Sequence, residues 1–251
     1  MTDAVHLYLN LLKRVLTGTL EAREPDVDDW RFPTQFLDHY IRGTAYTMVP
    51  VVRLDNIERC MNDVVAEGVP GDFIETGVWR GGTTIFMRAF LAARGIKDRK
   101  VWAADSFQGL PEPDAEKFPN EARAHASKAM AGEFKHLAAS RPDVEQNFAR
   151  FGLLDDQVRF LEGWFKDTLP SAPVDRLAIM RLDGDYYEST MDALTNLYDK
   201  LSPGGYVVVD DYGENEWTYC AKAVDEFRRA RGITAELVRV DSKCYFWRRE
   251  R

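Results

Sequence analysis

The chain has 251 residues, 45% of them hydrophobic and 12% aromatic, enough to bury the core of one sizeable α/β domain. A formal net charge of −8 argues against a nucleic-acid partner, because such binding is driven by basic side chains that neutralise phosphates. Cys60, Cys220 and Cys244 are odd in number and widely spaced, which fits neither a disulfide framework nor a zinc site and points to a reducing cytoplasm.

Val5, Tyr8, Leu9, Leu12, Val15 and Leu16 recur at helical spacing with Lys13 and Arg14 between them, the pattern of a packing helix rather than a signal peptide. No apolar run approaches the roughly 20 residues a membrane-spanning helix needs, so a soluble protein with no membrane partner is expected. Residues 23–50 are aromatic-rich and irregular. From residue 71 onward strand-like and helix-like segments alternate, as in a parallel sheet wrapped by helices. Strands are predicted near 72–76, 100–104, 157–162, 177–182, 205–209, 235–240 and 243–248, and helices near 82–94, 143–151, 187–200 and 216–230. Only Asp241 and Ser242 separate the last two strands, a tight hairpin signal. The expected organisation is a single domain over 1–251: an N-terminal helical or lid segment at 1–68, and a core at 69–251 interrupted by an insertion at 109–140. That insertion opens with Pro111, Pro113 and Pro119 and continues into an alanine-rich run. Long insertions often act as lids or binding loops, and the alternative is surface packing or a subunit contact.

The stretch from Phe73 to Gly82 passes from an apolar strand through Gly77, Gly81 and Gly82 into a helix. Glycine permits tight turns and close approach of backbone to a ligand, although a glycine triplet alone also describes a plain strand-to-helix turn. Asp105 ends the next strand, where an acid can bind both hydroxyls of a ribose. Strand, glycine turn, helix, strand and acid together describe an adenosine pocket. A nicotinamide cofactor needs a site for its pyrophosphate, whereas S-adenosylmethionine has none and carries a sulfonium cation that Glu75 would favour. No tyrosine has lysine four positions on, as a short-chain dehydrogenase would require.

Asp183 and Asp210 follow apolar segments at two predicted strand ends, and Asp211 and Asp185 are close behind them. In open α/β sheets that edge is where ligands bind. Several carboxylates in one cleft repel each other unless a cation compensates, and hard oxygen ligands suit Mg²⁺. A solvated acidic loop without metal is the alternative. Asp185 could be a fourth ligand, a hydrogen-bond acceptor behind the ligands, or the N-cap of the helix that follows. Asp183 is the candidate general base for an acceptor hydroxyl.

Among four histidines, His39 and His125 are the stronger site candidates, ahead of His6 and His136. Tyr40, Tyr46, Trp164, Phe165 and Trp217 could stack on a ring, and Trp164 leads because Gly163-Trp164 follows a strand bordering the adenosine pocket.

The segments ETGVWRGG (75–82), ADSFQG (104–109), RFGLLDDQVRFLEGWFKDTLP (150–170), RLDGDYY (181–187) and LSPGGYVVVDDY (201–212) occur in this order and closely resemble the macrocin and mycinamicin sugar O-methyltransferase family. The likeness covers most of residues 50–250. It implies a class I, Rossmann-like methyltransferase fold with a seven-stranded, mostly parallel sheet and a C-terminal antiparallel hairpin, plus N-terminal helices and a lid insertion. It also implies S-adenosylmethionine and Mg²⁺ as cofactors, and a glycosylated natural product such as a macrolide or aminocoumarin as the small-molecule acceptor. Carried over, Asp183, Asp210 and Asp211 resemble the metal ligands, with Asp183 also the base. Glu75, Thr76, Gly77, Val78, Arg80, Gly81, Gly82, Asp105, Ser106, Gly163, Trp164 and Asp183 resemble the cofactor pocket. Members are commonly homodimers or larger. Residues 23–45 and 111–140 depart from the family pattern, so the sugar, its methylated hydroxyl and the aglycone are not fixed by the likeness. Methylation of a catechol-like phenol is the second enzymatic reading, and a binding or scaffold protein that has kept the fold is the non-enzymatic one.

Overall fold

The structure is a computed structural model and describes residues 3–20, 23, 39–40, 43–130, 136–213 and 218–250. Helices α1 (Ala4–Leu16) and α2 (Val51–Ala66) precede β1 (Asp72–Thr76), α3 (Gly82–Ala93) and β2 (Val101–Asp105). Next come α4 (Pro119–Met130), α5 (Arg141–Arg150), β3 (Val158–Glu162), the single turn α6 (Phe165–Thr168) and β4 (Leu177–Leu182). The chain ends with α7 (Tyr187–Leu197), β5 (Leu201–Val209), α8 (Thr218–Ala230), β6 (Val238–Arg239) and β7 (Tyr245–Arg248). The seven strands form one sheet in the order β3-β2-β1-β4-β5-β7-β6. β3, β2, β1, β4 and β5 pair in parallel, while β7 runs antiparallel to both β5 and β6. The expected mostly parallel sheet with a C-terminal hairpin is therefore present.

Strand side chains alternate between two faces, and each face is buried under helices. Phe73, Ala103, Ile179 and Val208 point into one core with Leu9, Leu54, Ile57, Phe86 and Phe148 of the flanking helices. Ile74, Trp102, Met180 and Val207 point into the other, against Leu194, Leu197, Val224 and Phe227. α3 is buried nearly all round, which explains its almost uninterrupted apolar sequence. Burying a ring such as Phe86 or Phe90 contributes about 2 kcal/mol.

Several boundaries differ from the sequence reading. α2 and α4 fall in segments read only as N-terminal helical region and insertion. Strand β5 begins at Leu201, four residues early, through Pro203-Gly204 and a register shift. The final hairpin is wider than a two-residue turn: the Val240 N–H donates to the Cys244 carbonyl (2.8 Å), and Asp241 Oδ1 accepts from the N–H groups of Lys243 and Cys244 (both 2.8 Å). An aspartate binding backbone two and three residues ahead stabilises such a loop and shortens the strands it joins. Trp217, the first residues of the helix predicted at 216, and most of 23–50 lie outside the described residues. None of the described helices is long and apolar enough to cross a membrane.

Candidate active site

The register of the sheet builds the site. Thr76 sits opposite both Ala104 and Leu182, and Leu182 opposite Val209, so the carboxyl ends of β2, β1, β4 and β5 are level. The ladder runs one step further: Gly77 N–H donates to Ala104, Asp183 N–H to Thr76, Asp210 N–H to Leu182, and Gly163 N–H to Asp105, all at 2.8–2.9 Å. Gly163, Asp105, Gly77, Asp183 and Asp210 thus form a row across the sheet edge. Between β1 and β4 the strand order reverses, the place where open α/β sheets hold ligands.

A cleft of about 750 Å³ opens over this row. Gly77, Asp105, Ser106 and Trp164 line it on one side, and Asp183, Gly184 and Asp185 on the other. Gly77 has φ +89°, and a Cβ there would stand 1.7 Å from the carbonyl oxygen of Asp183. The glycine is demanded by the close approach of the β1 turn to the β4 end. Gly82 is demanded by packing, since its Cβ would lie 2.6 Å from the Tyr46 carbonyl oxygen.

Asp105 organises the glycine turn. Its Oδ2 accepts from the N–H groups of Val78 (2.6 Å) and Trp79 (3.2 Å), and its Oδ1 from Phe107 N–H (2.8 Å). Ser106 Oγ donates to the Gly109 carbonyl. Other residues assigned to the cofactor pocket from the sequence are turned elsewhere. Thr76 is fully buried, and Arg80 stacks on Trp79 and donates to the carbonyls of Tyr40 and Ala45. Glu75 is 1% exposed and accepts from Arg181 Nη1 and Thr84 Oγ1; burial, against these two donors, pushes its carboxyl up to about 7.

The acids separate into two groups. Asp210 Oδ2 accepts from Arg181 Nη2 (2.5 Å) and Arg53 Nη1 (3.0 Å), and Cys244 Sγ approaches its Oδ1 (3.7 Å). Burial would raise this carboxyl, but the two guanidinium groups outweigh it and hold it below its ordinary value. Arg53 is itself tied to Asp241 by a two-pronged bond (2.6 and 3.1 Å). By contrast, one carboxylate oxygen from each of Asp183, Asp185 and Asp211 lies within 4.8 Å of the others. Burial, with repulsion from neighbouring acids, raises all three: Asp183 despite Arg181, Asp185 to about 7, and Asp211 well above the carboxylate range. Sequence reasoning grouped Asp210 with Asp183 and Asp211; the structure places Asp210 between Arg53 and Arg181, while Asp183, which shares Arg181 with it, clusters with Asp185 and Asp211.

Asp185 is not the N-cap of α7. That position is Tyr186, with no side-chain cap bond, and the Tyr187 N–H is accepted instead by Glu121 Oε1 of α4 (3.1 Å). Asp185 stands at φ +60°, a conformation costly for a non-glycine residue and tolerated best by Asp and Asn, and its N–H donates to Asp211 Oδ2 (3.0 Å). Strain of this kind clusters at functional sites.

His39 is away from the cleft, bonded to the Thr17 carbonyl (2.7 Å) and edge-on to Tyr40. His125 Nδ1 pairs with the Tyr186 hydroxyl at 2.7 Å. Tyr40 is buried and Tyr46 half-buried, edge-on to Phe151, whereas Trp164 and Phe165 do line the cleft. Met48 of the N-terminal segment and Glu112, Lys117, Phe118 and Glu121 of the 109–140 insertion also line the cleft; the sequence reading named those segments as candidate lids but not these residues. It also missed Arg181, although a lone charge within the apolar strand LAIMRL is a readable signal.

The family described as macrocin-O-methyltransferase (TylF) matches residues 37–249. A 4'-O-methyltransferase of 8-demethyl-8-(2,3-dimethoxy-α-L-rhamnosyl)-tetracenomycin C from Streptomyces olivaceus is 48% identical, over 98% of this chain and 94% of that protein. The demethyldecarbamoylnovobiocin O-methyltransferase of Streptomyces niveus is 44% identical, again over 98% and 94%. Among solved structures, the O-methyltransferase NovP superposes with a TM-score of 0.86 at 45% identity, covering 98% of this chain and all of that one.

Proposed function

From the premise that the chain belongs to the macrocin O-methyltransferase family, we propose that it transfers a methyl group from S-adenosylmethionine to a sugar hydroxyl of a glycosylated natural product, in a Mg²⁺-dependent reaction. The observation that carries this reading is the juxtaposition, in one cleft, of the clustered carboxylates Asp183, Asp185 and Asp211 and a glycine turn held by Asp105.

The donor set fits the metal. Asp183, Asp185 and Asp211 offer clustered hard oxygens, and burial, with repulsion from neighbouring acids, raises their carboxyls, as expected of a site built around a cation. We assign Asp183 and Asp211 as ligands with Asp185 completing the set; Asp210, a ligand by family likeness, would have to share its carboxylate with Arg181 and Arg53. Bound Mg²⁺ would supply Lewis acidity that lowers the pKa of an acceptor hydroxyl.

The remaining chemistry falls to the chain. Arg181 anchors Asp183 Oδ2 at 2.9 Å and so fixes the carboxylate that takes the acceptor proton. As that hydroxyl oxygen bonds to the methyl carbon, the carbon–sulfur bond breaks and S-adenosylhomocysteine leaves with the electron pair on sulfur. Gly77, Asp105, Ser106, Gly163 and Trp164 are assigned to the donor; Val78, Arg80, Gly81 and Gly82 support it by shaping the turn. Catalysis rests on holding the two reactants in line. The segments 1–68 and 109–140 are assigned to closing the acceptor end. Three free, buried thiols support a cytoplasmic setting, and a homodimer or larger assembly rests on the family likeness alone.

The test is incubation with methyl-labelled S-adenosylmethionine, Mg²⁺ and the two glycosides named for the relatives above, with an EDTA control and a simple catechol. Label on a glycoside, abolished by EDTA, is the expected result. Label on the catechol alone would favour phenol methylation.

A further inference from the structure

Helix α4 rises from the 109–140 insertion, and it is docked on the acidic loop by two bonds. Glu121 Oε1 accepts from Tyr187 N–H at 3.1 Å, and one turn later His125 Nδ1 pairs with the Tyr186 hydroxyl at 2.7 Å. Glu121 lines the cleft yet is only 2% exposed, and its Oε2 is buried with no hydrogen-bond partner among the described residues. An unsatisfied buried carboxylate oxygen is costly, and a rigidly held one is worth that cost where a ligand completes it. The Tyr187 bond removes the freedom by which the side chain could turn away to water.

We propose that Glu121 determines acceptor specificity, its Oε2 accepting a hydrogen bond from a hydroxyl of the bound sugar other than the one methylated. The reacting hydroxyl must give its proton to the base, so it cannot also donate to Glu121. The partner is a neutral hydroxyl donor, the group a sugar presents in numbers. A site built to pair such a hydroxyl rejects the analogue that lacks it, because the buried oxygen is then left orphaned. The assignment rests on the proposed glycoside methylation.

The experiment uses the full chain, S-adenosylmethionine and whichever of the two named glycosides the wild type methylates, together with derivatives in which single sugar hydroxyls are replaced by hydrogen. Glu121→Ala is expected to raise the acceptor KM by about 10- to 100-fold, leaving kcat and the S-adenosylmethionine KM within about threefold of wild type. Glu121→Gln, which retains the Tyr187 bond, should raise it less, since an amide can still pair with a hydroxyl. One deoxy derivative should lose about as much with the wild type as Glu121→Ala loses with the parent glycoside, and Glu121→Ala should not distinguish the two. Unchanged acceptor KM in both variants, or a loss shared equally by both substrates, overturns the assignment. Calorimetry of glycoside binding to the S-adenosylhomocysteine-loaded protein separates the two layers: glycoside bound equally by wild type and Glu121→Ala refutes Glu121 alone, whereas no glycoside bound or methylated by the wild type refutes the function as well.

Discussion

Arg181 Nη2 lies 2.5 Å from Asp210 Oδ2 and 2.9 Å from Asp183 Oδ2, so one guanidinium nitrogen ties the arginine-paired Asp210 to the carboxylate cluster of Asp183, Asp185 and Asp211. Arg181 is wholly buried and also meets Glu75 and Asp183, so one guanidinium holds the ends of β1, β4 and β5 together. Its own charge is locked in by these carboxylates, which outweigh the cost of burying it.

Replacing Arg181 with Met leaves Glu75 and Asp210 buried beside each other with only Arg53 on Asp210. Removing one partner of a buried ion pair typically costs about 3–5 kcal/mol. Chemical denaturation of Arg181→Met should show a loss of that order; a variant as stable as wild type would mean the network is not coupled as the geometry implies.

Glu75 supplies a test by pH. Its carboxyl is raised to about 7 in the folded protein from 4.5, chiefly by burial, so the folded state binds the proton more tightly than the unfolded chain. Its unfavourable contribution is therefore absent below the unfolded value, grows as pH rises, and is complete above about 7. Glu75→Gln lacks this dependence. Relative to wild type it should gain stability between about pH 5 and about pH 8, by up to roughly 3 kcal/mol. Parallel stability curves for the two proteins would contradict the assignment.

The chain's own alternation made much of this architecture legible. Apolar segments ending in Asp105, Asp183 and Asp210 located the sheet edge, because strand ends are set by local pattern and the edge follows from parallel topology. Which acid is paired with arginine was not legible. That depends on Arg53, 157 positions away from Asp210 in the chain and brought to it only by the packing of α2. The placement of Asp185 beside Asp183 and Asp211 was not legible for a similar reason: it goes with a left-handed backbone at Asp185 and with the bond from its N–H to Asp211. Glu75 reads like a pocket acid at a strand end, yet period-two alternation does not say that the next strand's arginine will claim it.

Asp105→Ala removes the acceptor of three backbone N–H groups as well as the proposed ribose partner. Calorimetric titration with S-adenosylhomocysteine should show affinity weakened by about 100-fold or more, with the Mg²⁺ requirement unchanged. Wild-type affinity would remove Asp105 from the donor site.

Gly77→Ala places a methyl group where the Asp183 carbonyl oxygen stands, at a φ that disfavours side chains. Both halves of the cleft must then part. The expected outcome is loss of methyl transfer together with weaker donor binding, measured by the same label-transfer assay and titration. Full activity would show that the two turns are not in the described contact.

The central claim is that Asp183, Asp185 and Asp211 hold a catalytic Mg²⁺ beside the methyl donor. Its most direct test is a Mg²⁺ titration by calorimetry of EDTA-stripped protein carrying S-adenosylhomocysteine, comparing wild type with Asp183→Asn and Asp185→Asn. The account expects one ion bound per chain in the wild type, binding abolished in the first variant and weakened about tenfold or more in the second. No Mg²⁺ binding by the wild type, with methyl transfer undiminished in EDTA, would contradict it.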